Sequence, residues 1–499
     1  MTAGTIATAA PDAAGNSYGE PAYRVYVLIL LTLVYTLNFI DRNLLSVIAQ
    51  PVITTFNLSD SEYGFLNGPP FAIFYALMGI PIAIAADRYN RVVIIALCIA
   101  IWSLMAALCG FATSFMFLLV ARIGVAIGEA GCTPPASSII GDYFKPGSRA
   151  NALGIYAMGV TIGGALANAF GGPIATGLTG PNVDAWLQSQ NLSALFPIDW
   201  THVEGWRIAF VVIGAPGLIL ALIVLFTVKE PPRGYSDPPA MERRASAGIV
   251  ETLRELGGKT TFWTMAMGAA LTALVGYGLA GFQAPMAQRI HGINPGQFAL
   301  EFGVPLALCA AAGTFIGGFA TQKLTPRFPA AVAWLPALGL FLSIPFYELA
   351  FFSPTENLRS ALVLWCVAAT LHFTYLGAQY TIGQGVVSTR SRASAIAILL
   401  LIVALIGNGL GPLIVGWLSD MFMHMQIAQH GMDGILTNEM CRSKDLLAQM
   451  PEAQKTICTA AYGEGLRQSM AATALFFIPA AAFFWLSSRT YGRDLVARH

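Results

Sequence analysis

Four ionisable residues lie in stretches that are otherwise apolar. LTLVYTLNFIDRNLLSVIAQ sets Asp41 beside Arg42, and ARIGVAIGEAGCTPPASSIIGDYF carries Arg122 and, seven residues later, Glu129. Seven residues are two helical turns, so Arg122 and Glu129 project from one face. Guanidinium groups bind carboxylates and phosphates through charge-assisted hydrogen bonds. A carboxylate can take up or release a proton when burial and a nearby arginine compete over its charge. If the two stretches lie together, Arg42 and Arg122 would hold an anion while Asp41 and Glu129 exchange protons; the competing reading is a static ion pair that fixes helix packing. Glu129 is the first choice for the proton, and Asp41, within reach of Asn38 one turn earlier, is the second.

The surrounding elements must be membrane helices. The 499 residues are 56% hydrophobic and 11% charged, more apolar surface than one water-soluble core could bury. A spanning helix needs about 20 mostly apolar residues. Breaks at charged, Pro or Gly clusters divide the chain into twelve such runs, at 25–50, 59–87, 91–112, 115–143, 149–177, 205–228, 261–288, 296–323, 330–352, 358–387, 393–425 and 464–488. SDSE at Ser59 to Glu62 has the form of a capping box and opens the second run. At about 1.5 Å of rise per residue, Asp41 and Arg42 lie roughly 22 to 24 Å along span 1, Arg122 about 10 Å down span 4 and Glu129 about 21 Å down it. Arg42 and Arg122 should then share a level, with Glu129 deeper.

Most of the 27 Lys and Arg fall in the tails or after even-numbered spans, in DRYNR, KPGSR, KEPPR, MERR, KLTPR and TRSR. The positive-inside rule puts both termini in the cytoplasm. Residues 1–22 read as a disordered tail and 490–499 as a second cytoplasmic tail. Residues 230–259, Pro-rich and then amphipathic, form a linker between a six-span half at 23–229 and another at 260–489. IGGALANAFGGPI in span 5 and IGNGLGPLIVG in span 11 occupy equivalent places if six spans repeat. Such clusters serve close helix packing or gating, and paired halves suit a transporter that rocks around a midplane site. Cys441 and Cys458 share one polar outer loop, where an oxidising compartment would let them pair.

PIAIAADRYNR, after span 2, resembles the signature of the major facilitator superfamily, with Ala83 and Asn90 in place of its two glycines. Asp87, Arg88 and Arg91 survive, and the resemblance implies that they latch the cytoplasmic side. RIGVAIGEAG together with LNFIDR is similar to the spinster family of lipid transporters. That resemblance implies an all-α fold of two pseudo-symmetric six-helix bundles, with spans 1 and 4 lining a central cavity. It also implies a sphingosine phosphate or lysophospholipid-like cargo.

The cavity expected from these readings has a charged wall, flanked by Tyr35, Asn38 and Thr133, and an aromatic one. In span 10, His372, Tyr375 and Gln379 share a stripe, and Gln283 lies in a Gly-broken span 7. A lone buried histidine is more often a core residue than a proton carrier. Gly258-Lys259-Thr260 lacks the leading glycine of a phosphate-binding loop, and no zinc or nucleophile motif appears. The reading is therefore a monomeric, proton-coupled carrier of an amphiphilic anion, neither enzyme nor nucleic-acid binder, needing no cofactor beyond protons. A small organic anion as cargo, or a receptor that does not transport, stays open.

Overall fold

The computed structural model describes residues 17–192, 199–236, 248–354, 357–388 and 390–496. Most of the expected N-terminal tail, the middle of the linker and the last three residues lie outside them. The described residues are helical, with no strand. Twelve helices are long and apolar enough to cross a membrane: Pro21–Val47, Asp60–Arg88, Arg91–Cys109, Phe115–Tyr143, Pro146–Gly177 and Gly205–Thr227, then Thr260–His291, Pro295–Leu324, Ala331–Phe351, Leu358–Gly385, Arg392–Gln429 and Glu452–Asp494. These are spans 1 to 12. The end of the bundle bearing the loop between spans 11 and 12 is called outer below.

Several spans are interrupted, and the interruptions recur between halves. Span 4 breaks at Gly131-Cys132, just before Thr133-Pro134-Pro135, and span 10 breaks at Phe373-Thr374. Spans 5 and 11 each contain a π-helical segment, Ala167–Gly171 and Ala404–Leu410, inside the glycine clusters whose sequences echo one another. Pro lacks the N–H of a helical ladder, and Gly weakens the ladder around it, so these are the places where a helix can be re-aimed. Broken helices at matching positions are what a rocking pair of repeats needs near a shared site.

Span 2 is divided most sharply. Asp60–Asn67 begins with the capping box read from the sequence, Ser59 and Glu62 satisfying one another's backbone N–H groups. It ends at Gly68, and Pro69–Arg88 continues the span as a separate helix. The outer piece packs backbone to backbone on span 11: a side chain at Gly64 would meet the Pro412 carbonyl, and one at Gly68 the Gly409 carbonyl.

Each end of the linker is fastened to a different half. Arg233 donates to the carbonyls of Ala86 and Tyr89 at 2.8 Å each, and the Gly234 N–H donates to Asp142 Oδ1 at 2.8 Å. The amphipathic helix Ile249–Leu256 docks on the second half through Glu255, which accepts from Ser388 N at 2.6 Å and from Ser391 Oγ at 2.5 Å. Partial burial works against the Glu255 charge, but the bonds from Ser391 and Ser388 prevail and hold its carboxyl below the ordinary glutamate range. In the outer loop Cys441 and Cys458 are joined by a disulfide, with Cα atoms 4.7 Å apart.

Candidate functional site

The four charges expected to meet do so, although their pairing departs from sequence order. Arg42 Nη2 lies 2.8 Å from Glu129 Oε2, and Arg42 Nε donates to the same oxygen at 2.9 Å. Neighbouring residues on a helix point roughly 100° apart, so Arg42 reaches across to span 4 while Asp41 turns into the bundle. Asp41 is 3% exposed, with Arg122 and Glu129 as its charged neighbours and Trp102 beside it. The expected contact from Asn38 to Asp41 is not made: Asn38 Nδ2 is buried without a hydrogen-bond partner.

The helical rise places Glu129 deeper than Arg42, and the two side chains nevertheless meet. The Glu129 side chain is fully buried, while that of Arg42 keeps 17% exposure. Six buried polar atoms around these residues make no hydrogen bond: Asn38 Nδ2, Asp41 Oδ1, Arg42 Nη2, Trp102 Nε1, Arg122 Nε and Glu129 Oε1. Buried polar groups are otherwise nearly always bonded, so this concentration of atoms without a hydrogen bond singles the cluster out as the candidate site.

Aromatic rings that sequence reasoning missed complete the cluster. The Arg42 guanidinium lies over Phe39 at 4.9 Å, Phe71 at 5.0 Å and Tyr75 at 4.8 Å, and Arg122 lies 5.2 Å from the same Phe71 ring. The signal available was spacing: Phe71 and Tyr75 are one turn apart, just past the Pro69-Pro70 pair. Tyr35 stacks on Tyr156 of span 5 at 4.5 Å, with half-buried Thr133 nearby.

On the opposite wall the structure separates the predicted residues. His372 is 2% exposed, bonds Tyr347 Oη through Nδ1 at 3.2 Å, and is packed by Tyr375 and Phe477. These contacts are those of a core histidine. Gln379 is buried with Oε1 unpartnered, while Gln283 is half-buried in span 7.

A second polar cluster closes the outer end. Arg289 of span 7 grips Asp60 of span 2 with two 2.7 Å bonds, takes Gln50 Oε1 at 2.8 Å and lies over the Tyr462 ring at 3.7 Å. Ser419 donates to Asp60 at 2.6 Å, and Asp420 accepts from Ser61 N at 2.9 Å. Both members of the Asp60–Arg289 pair are under 5% exposed as side chains, at 2% and 4%. Asp60 had been read only as part of a capping box; its partner lies more than two hundred residues away, beyond any local signal.

The expected cytoplasmic latch is not engaged across the halves. Asp87 and Arg88 are exposed. Arg91 is buried, and its described partners are Asp142 at 2.6 Å, Ser138 at 2.7 Å, Glu230 at 2.6 Å and the Pro231 carbonyl at 2.8 Å, all in the first half or at the start of the linker. The described hydrogen bonds between halves lie toward the outer end, so the bundle is closed there.

Residues 31–412 match the family model described as Major Facilitator Superfamily. A crystal structure titled a bacterial homolog to human lysosomal transporter, Spinster, in an inward-facing and unoccupied conformation, superposes with a TM-score of 0.90 at 54% identity, covering 96% of this chain and 100% of that one. This chain is a spinster-type transporter of the major facilitator superfamily. Its occupied counterpart, also titled inward-facing, superposes at 0.88 with 53% identity over 96% of this chain and 100% of that one. The spinster-type chain is also 29% identical over 467 residues to an MFS-type efflux pump of Mycolicibacterium smegmatis, covering 94% of this chain and 93% of that protein. Human protein spinster homolog 1 is 25% identical over 424 residues, covering 81% and 74%. The relatives are transporters and not enzymes, and the twelve spans make this an integral membrane protein.

Proposed function

We propose that this chain carries an amphiphilic, lipid-like anion of the lysophospholipid or sphingosine phosphate type by alternating access coupled to protons. The observation that carries the reading is the Arg42 environment: a guanidinium held by one oxygen of buried Glu129 and lined by Phe39, Phe71 and Tyr75. A phosphate or carboxylate head group would compete with Glu129 for Arg42, and protonation of Glu129 would hand the guanidinium over. The rings offer apolar surface to the glycerol or sphingoid portion beside the head group. Arg122 would add a second positive charge, Asp41 a second proton site, and Tyr35, Asn38 and Thr133 polar contacts. Gln283, Tyr375 and Gln379 would face the cargo from the second half, with His372 supporting them. Asp87, Arg88 and Arg91 would act on the cytoplasmic side when the bundle opens outward.

The protein would work as a monomer in the cell membrane with both termini cytoplasmic, an orientation that the excess of basic residues after even-numbered spans supports. One relative, aligned over 223 residues at 26% identity, is named hexuronate transporter, which keeps a small organic anion as the second reading. Proteoliposomes with an imposed pH gradient separate the two. Labelled lysophosphatidylglycerol and sphingosine phosphate should accumulate, Arg42→Ala should abolish the signal, and labelled glucuronate should not compete. Competition by glucuronate would favour the small anion, and binding of every amphiphile without accumulation or counterflow would favour a receptor.

A further inference from the structure

Span 2 belongs mechanically to both halves, and its division point lies beside the charge cluster. Its outer piece, Asp60–Asn67, is clamped to the second half by Arg289, Ser419 and Asp420 and by backbone contact at Gly64 and Gly68. The inner piece begins with Pro69 and Pro70 and packs chiefly on span 4, with a further contact from its first turn, at Ala72, to Gly409 of span 11. Phe71 follows at once, and its ring is the one both arginines share. Arg42 has Glu129, Phe39 and Tyr75 besides. Arg122, among the described residues, has no ion pair within 4 Å and no hydrogen bond, so Phe71 is the ring that holds it.

Any outward opening must separate the outer piece from span 11 or drag it along. Two successive prolines fix their φ angles, so motion at the Gly68 joint reaches Phe71 through a stiff first turn. We propose that Phe71 is a positioning residue that reports the state of the Asp60–Arg289 lock to the two arginines, releasing Arg122 when the outer piece leaves span 11. The inference rests on the alternating-access reading. It adds a stated route by which closure at the outer end sets the geometry of the anion site. That route runs through one broken helix, roughly 16 Å from Asp60 to Phe71 at the helical rise.

Sites that far apart with no shared partner should act independently. The test is a double-mutant cycle on the full chain in nanodiscs, read by pulsed electron resonance between labels at Thr201 and Asp445, exposed outer positions in opposite halves. Asp60→Asn should raise the open-to-closed ratio about tenfold, and Phe71→Leu should change it severalfold. The double variant should depart from the product of the two by about fivefold or more. Phe71→Tyr, which keeps a ring, should give effects that multiply with those of Asp60→Asn, and Pro70→Ala, which softens the joint, should abolish the departure seen with Leu. Effects of Asp60→Asn and Phe71→Leu that multiply within error would overturn the proposal, as would equal coupling in Leu and Tyr variants. If Asp60→Asn shows only the closed distance, the alternating-access reading fails. The lever is then judged by melting temperatures of the same proteins, whose shifts must fail to add; additive shifts would overturn it.

Discussion

Replacing Glu129 by Gln should tighten binding of an anionic lipid while ending its pH-driven accumulation. In the wild-type geometry Arg42 Nε donates to one oxygen of Glu129 at 2.9 Å, and Nη2 lies 2.8 Å from the same oxygen. A head group must displace that carboxylate before it can use Arg42. A hydrogen bond to a charged group is worth about 1.5 to 3 kcal/mol, and the side chain of Gln is close in shape but neutral. Removing the competitor should therefore improve affinity roughly tenfold to a hundredfold. Arg42 should stay in place, because three rings still contribute about 0.5 to 2 kcal/mol each. The assay is binding of labelled lysophosphatidylglycerol to protein in nanodiscs at pH 7.5 and 5.5, with uptake into proteoliposomes alongside. Under the competition reading, the wild type should bind more tightly at the lower pH. The variant should bind tightly at both and give no gradient-driven uptake. Unchanged or weaker binding at pH 7.5, or a full acid response in the variant, would refute the competition.

Other consequences follow from the packing. Arg289→Ala strands Asp60 at 2% side-chain exposure with Ser419 as a partner; loss of one member of a buried pair costs about 3 to 5 kcal/mol, so closure should weaken and outer labels should separate. An unchanged distance distribution would contradict the lock. Cys441→Ser opens a loop closed over a sequence separation of 17 and should cost about 3 kcal/mol in that region, seen as faster hydrogen exchange around Cys458. Equal exchange would show that the bridge does not hold the loop. Glu255→Gln should loosen Ile249–Leu256 and speed trypsin cleavage at Arg254 severalfold. In the wild type the same loosening belongs to acid pH: the carboxyl lies below its ordinary range, so its contribution is full above that range and lost as pH falls through the lowered value. The Trp263 indole, which donates to the Leu256 carbonyl at 2.9 Å, reports it by NMR, and a signal unmoved by acid would refute the assignment.

Much of the architecture was legible because it is local. Apolar runs of about 20 residues, interrupted by Gly, Pro and charge, specify helices across a membrane whatever their neighbours do. The capping box at Ser59, the linker helix and the repeated glycine clusters could be read for the same reason. The last span illustrates the limit. Its apolar part was expected from 464, but the helix begins at Glu452, because a polar outer extension packs on span 11 and carries no apolar signal.

The charges of the site were equally visible, since an ionisable residue in an apolar helix needs a reason to be there. Their partners were not. Asp41 and Arg42 are adjacent in the chain, yet Arg42 pairs with Glu129 and not with Asp41, because helical geometry turns successive side chains apart. Asp60 looked like a helix start and is the anchor of the outer lock, because Arg289 reaches it from another bundle. Phe71 looked like one more apolar residue and faces two guanidiniums. Helix positions and the presence of the four charges are properties of local sequence. Which acid meets which base, and which end of the bundle is closed, depends on how two halves pack, and that packing joins residues hundreds of positions apart.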